Sequence, residues 1–195
     1  MAQKEEAKQA AAAVWGCSPD QVMVQDVSLV YQWARKHTLF LAQDPARRRM
    51  MIAVAPDGSA TAFNDPADIK PLNLLLQREQ VGLPDGMSKL QLALTIRTLL
   101  LGPGGFVGSQ PFWDEQKSAL EMWTSPSPED GPALFEKHCQ DPLLNRSDEG
   151  WELTFSYFNS QGGVEKWHAS GNAQSIKSAV RETVVPEKTF LFPYG

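Results

Sequence analysis

The chain has 195 residues, 42% of them apolar and 21% charged, with a formal net charge of −5. That composition supports a packed core and excludes a disordered or coiled-coil chain. Its acidic balance argues against nucleic acid as a partner, since a phosphate backbone calls for a basic face. The basic run Arg47, Arg48 and Arg49 sits beside Pro45 and reads as a solvated turn.

Residues 3–15 are rich in good helix formers, with Ala7, Ala10, Ala11, Val14 and Trp15 at three- and four-residue steps and Gly16 as the stop. From Gln21 to Trp33 the period changes to two, with a phase slip around Asp26, which predicts one long bulged strand. Residues 38–42 and 49–55 are β-rich runs, and Pro56-Asp57-Gly58 turns the chain into a fourth strand over 59–63. The first third is therefore a helix followed by an antiparallel meander.

At Asn64-Asp65-Pro66 the composition shifts. Pro71 suits the first position of a helix that runs through Leu72, Leu75, Leu76 and Glu79 to Gly82. Ser88 and Gln91 form a capping box for a helix over 89–101, closed by Gly102-Pro103. Residues 102–110 read as a loop, 114–123 as a shorter helix and 125–128 (SPSP) as a linker. Helix 132–139 follows, then strand 151–157, a Gly turn at 159–163 and a returning strand over 164–169. Segment 175–185 fits either period, and Thr183-Val184-Val185 favours strand. Residues 189–192 would be a last edge strand.

The expected architecture is α+β: a helix on an antiparallel sheet over 1–64, a central helical segment over 65–124, and a second helix-plus-sheet unit over 129–195. RMMIAVAPDGSATAF and WELTFSYFNSQGGVEKW share a strand, a Gly turn and a returning strand, which suggests an internal duplication. The Ala-rich helix, the MMIAVAPDGSATAF hairpin and the turn at Gly58 make the layout of residues 7–63 resemble PepSY-like and cystatin-like domains. That resemblance implies a helix against a curved antiparallel sheet and carries no functional residue with it. Residues 21–25 (QVMVQ) depart from the Gln-x-Val-x-Gly pattern by which cystatins inhibit, so it does not imply an inhibitor.

The longest apolar run, Leu90 to Leu101, is interrupted by Gln91, Thr95, Arg97 and Thr98 and falls short of the roughly 18 residues of a membrane span. The charged N-terminal residues lack the apolar core of a signal peptide, so a cytoplasmic protein is expected, with an exported mature domain as the alternative. Cys17 and Cys139 are expected as two free thiols, a disulfide requiring Cα atoms within about 7 Å.

Chemistry is sparsely signalled. His138-Cys139 with nearby Asp141 invites a nucleophilic reading, but neighbours on a helix point about 100° apart, so a different histidine would have to approach. Three His and two Cys without paired spacing call for no metal, and no motif calls for a cofactor. Residues 102–108 (GPGGFVG) follow a helix rather than a strand and lack the Lys-Ser/Thr of a phosphate-binding loop. Six tryptophans are many for this length, and they are either core or a ligand surface. The leading candidate surface is the segment from Phe106 through Gln110 and Phe112 to Trp113, with Trp167 and His168 second. The sequence thus predicts a non-catalytic binding protein for a peptide, protein or apolar small molecule. The rivals are a hydrolase using His37, His138 or His168 with Asp114 or Glu165, and a homodimer built on the Leu-rich helices at 72–80 and 89–101.

Overall fold

A computed structural model of the chain describes residues 2–116 and 131–190, the side chains of Trp113, Glu115, Gln116 and Pro132 excepted. It is an α+β fold with two antiparallel sheets. The first is a meander in chain order: β1 (Met23–Asp26), β2 (Thr38–Gln43), β3 (Arg49–Val54) and β4 (Ala60–Phe63). Alternation along these strands sorts side chains to two faces. Phe40, Ala42, Met50, Ile52 and Val54 pack under α1 (Ala2–Trp15), whose Ala7, Ala11 and Ala12 let the helix lie close. Gly16, at φ 67°, ends α1 in the left-handed conformation, and the Cys17 amide closes onto the Ala12 carbonyl.

Leu39, Met51, Ala53 and Phe63 emerge on the opposite face and meet α2 (Lys70–Arg78) and α3 (Lys89–Leu101). The capping box at α3 is formed, with Ser88 Oγ accepting from the Gln91 amide. The same core cluster continues through these helices into the second sheet, taking in Trp151, Leu153, Phe155, Tyr157 and Trp167. That sheet runs β5 (Gly105–Val107), β7 (Gly150–Asn159), β8 (Val164–Gly171) and β9 (Ile176–Val185), and β6 (Leu143–Ser147) pairs the other end of the β7 edge. Between β5 and β6 lie α4 (Gln110–Gln116) and α5 (Gly131–His138). The two Leu-rich helices expected at a dimer interface are thus sandwiched between the sheets of one chain, with Leu74 and Leu90 as their exposed large apolar side chains.

Beyond β6, which the sequence did not announce, three elements differ from expectation. The long strand over 21–33 stops at Asp26, whose side chain accepts from the Ser28 amide and turns the chain into a short 3-10 segment at Ser28–Val30. Beyond it, the apparent alternation of Tyr31 and Trp33 arises from anchoring to α3: Tyr31 Oη lies 2.7 Å from Thr98 Oγ1, and Trp33 Nε1 donates to Thr95 Oγ1 at 3.0 Å. Loop 102–110 contains β5, which pairs Phe106 with Phe158, so the second sheet recruits a strand from the middle segment. The helix expected over 114–123 begins earlier, at Gln110, and is described as far as Gln116; residues 117–123 of that expectation and the 125–128 linker lie outside the described residues. Segment 176–185 is a strand, and no disulfide joins Cys17 to Cys139, which is fully buried. Among the described residues no helix is long and apolar enough to cross a membrane.

Candidate functional site: an apolar cavity at the Gly-rich loop

Ending the first strand at Asp26 leaves Val27, Val30 and Tyr31 facing α3 rather than continuing the sheet. Together with Leu90 and Leu94 of α3, Met51 of β3 and the Pro103–Val107 stretch they enclose a cavity of about 420 Å³. Its outer wall is Phe106, which stacks on Phe112 at 4.0 Å and on Phe158 at 4.9 Å. Behind this stack lie Phe135 and Phe190, so the wall is backed by packed aromatic rings rather than by solvent. At the mouth Val30 is 52% and Leu90 43% exposed, and Leu29 beside them is 91% exposed.

Among the described residues no charged side chain lines this space, and the hydroxyls they contribute can be taken one by one. Thr98 Oγ1 donates to the Leu94 carbonyl at 2.7 Å, so Tyr31, 2.7 Å away, is left to donate to Thr98. Ser109 Oγ accepts from the Phe112 amide at 3.4 Å. Tyr157 is fully buried; its hydroxyl makes no hydrogen bond of good geometry, and the Gly104 amide beside it favours the ionised form slightly. Burial pushes the Tyr157 phenol up to about 12, with the nearby Arg97 charge opposing and Glu165 and Tyr31 adding to the rise. It therefore stays neutral at physiological pH. The Arg97 guanidinium sits 4.2 Å above the Tyr157 ring. Gly105 is obligatory beside it: at φ 144°, an added Cβ would collide with the Phe158 carbonyl oxygen and press on the Tyr157 ring.

The structure gathers Phe106 and Phe112 of the expected surface at this cavity. Gln110 is exposed next to it, its amide donating to Asp141 Oδ1 at 3.0 Å and its side chain to Asp114 at 3.2 Å. The backbone of Trp113 lies in α4, and its side chain is outside the described residues. Trp167 and His168 are elsewhere and point to opposite faces of β8. Trp167 is buried, stacked on Phe155 and donating to Glu165, whereas His168 is exposed and pairs with Thr154 at 3.2 Å. Tyr157, Leu94, Thr98 and Val30 line the cavity without having been singled out. An aromatic residue in a strand that alternates cleanly reads as core, and nothing local reveals that it borders a cavity.

The histidines are separate from this cavity. His37 Nδ1 is 2.6 Å from Glu79 Oε1, and the Glu79 carboxylate also accepts from the amides of Arg35, Lys36 and His37. A carboxylate only accepts, so His37 donates from Nδ1. Both residues are buried and line neither the apolar cavity nor the polar one beside α5. Glu165 is bound by Arg97, Arg181 and Trp167, and the Cys139 thiol donates to the Ser109 carbonyl. Among the described residues no three His, Cys, Asp or Glu side chains gather as a metal site would need.

His138 borders a polar cavity of about 500 Å³ on the outer face of the second sheet, with Lys137, Lys166 and Asp141. Burial, then Lys137 and Lys166, hold its imidazole below the ordinary 6.5. Replacing Lys166 with Ala is expected to raise it, as followed by NMR titration of the ring protons. Because the folded value is the lower one, the unfolded chain binds the proton first, and this histidine costs stability as pH falls from 6.5 through its folded value.

No protein-family model matches the chain, and neither curated proteins nor solved structures give a match.

Proposed function

We propose that the chain is a non-catalytic binding protein and that its ligand is a small apolar molecule held in the cavity at the Gly-rich loop. The observation that carries this reading is the cavity itself: apolar, walled by stacked phenylalanines, and within the roughly 300–1,000 Å³ of small-molecule sites. Exposed Val30 and Leu90 at its mouth give it an apolar entrance. A hydrolase has less in its favour. The short histidine–carboxylate pair found among the described residues lines neither cavity, and its carboxylate is occupied by backbone amides.

Half-buried Leu94 lines the cavity, so Leu94→Trp fills the space from its own wall. Binding of the uncharged fluorophore N-phenyl-1-naphthylamine is expected to weaken at least about tenfold in this variant, with cooperative unfolding retained. Equal binding by Leu94→Trp and wild type would remove the cavity as the site. Insensitivity of the wild type to the fluorophore, alongside capture of an apolar peptide, would replace the small-molecule reading by a peptide one.

A further inference from the structure

Strand pairing in the first sheet leaves a gap beside the basic run. β3 and β4 pair from Val54 with Ala60 as far as Met51 with Phe63, and beyond Phe63 the chain leaves the sheet through Asn64 and Pro66. Arg49 and Met50 keep their β2 partners, Gln43 and Ala42, but have none on the β4 side. Between this half-paired start of β3 and the C-terminal ends of α1 and α3 lies a cavity of about 330 Å³. Trp15, Met50, Phe63 and Leu101 give it apolar surface, and Arg48 and Arg49 give it charge. Arg48 lies on the α1 side, over the Trp15 ring, and Arg49 on the α3 side, beside the loop that follows that helix. Both border the cavity because it runs past the sheet from one helix to the other.

The two guanidinium groups differ in what they are bound to. Arg48 is compensated: its Nε donates to Asp44 Oδ2 at 2.6 Å, and its Cζ sits 5.6 Å from the Trp15 ring centre, which fixes the group in place. Arg49 has no carboxylate partner among the described residues. Its Nε donates to the neutral Gln43 Oε1 at 3.1 Å, and its Nη1 lies alongside Gly104, 3.9 Å from where a Cβ would stand. The Gly102 and Gly104 carbonyls on that loop are already taken, by Arg97 and by the Ser160 amide. No carboxylate lines the cavity among the described residues, and Asp65, between Asn64 and Pro66, accepts from the Ala67 amide. Arg49 therefore brings a positive charge that nothing described offsets, next to an aromatic face and aliphatic surface.

We propose that this cavity is a second binding site, for a small organic carboxylate whose anion pairs with Arg49 and whose apolar or aromatic body lies against Trp15 and Leu101. A guanidinium offers two parallel N–H donors that match a carboxylate. A phosphate monoester carries up to about two negative charges and would meet a single uncompensated cation. The site is independent of the apolar-ligand reading, since the two cavities share no lining residue.

Two neighbouring methionines report on the cavities separately: Met50 lines this one and Met51 the apolar one. The test is titration of the full chain, labelled with 13C at the methionine methyls, with 1-naphthoate, its neutral isostere 1-naphthamide and 1-naphthyl phosphate, on wild type and Arg49→Gln. Met50→Leu and Met51→Leu assign the two resonances. Naphthoate is expected to move the Met50 methyl more than that of Met51. It should bind wild type at least about tenfold more tightly than naphthamide and lose at least about tenfold in Arg49→Gln, the worth of a charge-assisted hydrogen bond, with naphthamide unaffected. Arg49 is exposed and outside every ion pair found among the described residues, so the urea midpoint of the variant should match wild type. If it falls, the naphthoate and naphthamide affinities of wild type decide the matter alone. Naphthamide binding wild type as tightly as naphthoate, or naphthoate binding both proteins equally, overturns the role of Arg49. Naphthyl phosphate binding ahead of naphthoate overturns the carboxylate in favour of a phosphate monoester. A shift of Met51 in place of Met50 puts the anion in the apolar cavity and overturns the second site. No shift of either methyl up to the solubility limit of naphthoate also overturns it, and leaves the apolar cavity to its own fluorophore test.

Discussion

Glu165→Ala is expected to destabilise the fold by about 3–5 kcal/mol, the cost of removing one partner from a buried ion pair. Glu165 is 3% and Arg97 6% exposed, and they face each other between β8 and α3. The carboxylate also accepts from Trp167 Nε1 at 2.9 Å and from Arg181 at 3.2 Å. Truncation strands the Arg97 charge in the core and leaves the Trp167 indole without its acceptor. Arg181 is half in solvent and loses little, because exposed pairs contribute little. For a chain of this length the loss amounts to a fall in melting temperature of about 10 °C, and urea unfolding gives the free energy directly. The double replacement Arg97→Met with Glu165→Leu is expected to recover a large part of it, since taking out both charges leaves neither stranded. A double variant no better than Glu165→Ala would mean that the pair matters for the geometry it imposes on Gly102, whose carbonyl Arg97 holds, more than for its charge balance.

A loss of similar size, about 3–5 kcal/mol, is expected for Glu79→Ala. Its carboxylate is the acceptor for three consecutive backbone amides, Arg35, Lys36 and His37, and for the His37 ring. Segment 31–37 has no strand partner, so without Glu79 these donors have no acceptor in the protein. Burial by itself would raise the Glu79 carboxyl, and is the largest single influence on it. The hydrogen bonds from His37 and from the amides of Lys36, Arg35 and His37 together outweigh it and hold the group below its ordinary 4.5. A depressed carboxylate contributes stability that is complete above the unfolded value and is lost as pH falls through the folded one. Glu79→Gln should therefore be destabilised at neutral pH and converge on wild type below pH 4.5, as seen in urea midpoints collected across that range.

Where local pattern and tertiary packing agreed, the sequence was readable. Ser88 and Gln91 announced α3 because a capping box is closed by residues three apart, and the strands of the first sheet follow one another through short turns, so period-two alternation located them. Tyr31 and Trp33 misled because their spacing satisfies a strand while their partners, Thr98 and Thr95, lie more than sixty residues away. β5 escaped notice because three residues in a glycine-rich stretch carry no periodicity; the strand exists because the β7 edge accepts it. The candidate site divides the same way. Phe106 and Phe112 stood out as aromatic residues in a region rich in glycine and proline, whereas Tyr157 was camouflaged by Trp151, Leu153 and Phe155 on the same face. Trp167 and His168, adjacent in sequence, were bound to separate, since consecutive strand residues point to opposite sides.

The parts of the cavity wall also bear on how the chain can be divided. Met51 comes from the first sheet and Val27 from the turn that follows its first strand, Leu94 and Thr98 from α3, and Phe106 and Tyr157 from the second sheet. Cutting at the proline-rich stretch 125–128 would look natural, since it leaves a helix-and-meander module on one side. The cut would nonetheless sever Phe106 from its strand partner Phe158 and take Tyr157 away from Leu94. Neither piece would carry a smaller version of the site: the cavity belongs to the two sheets and the helices between them together, and transplanting either sheet into another protein would leave it behind.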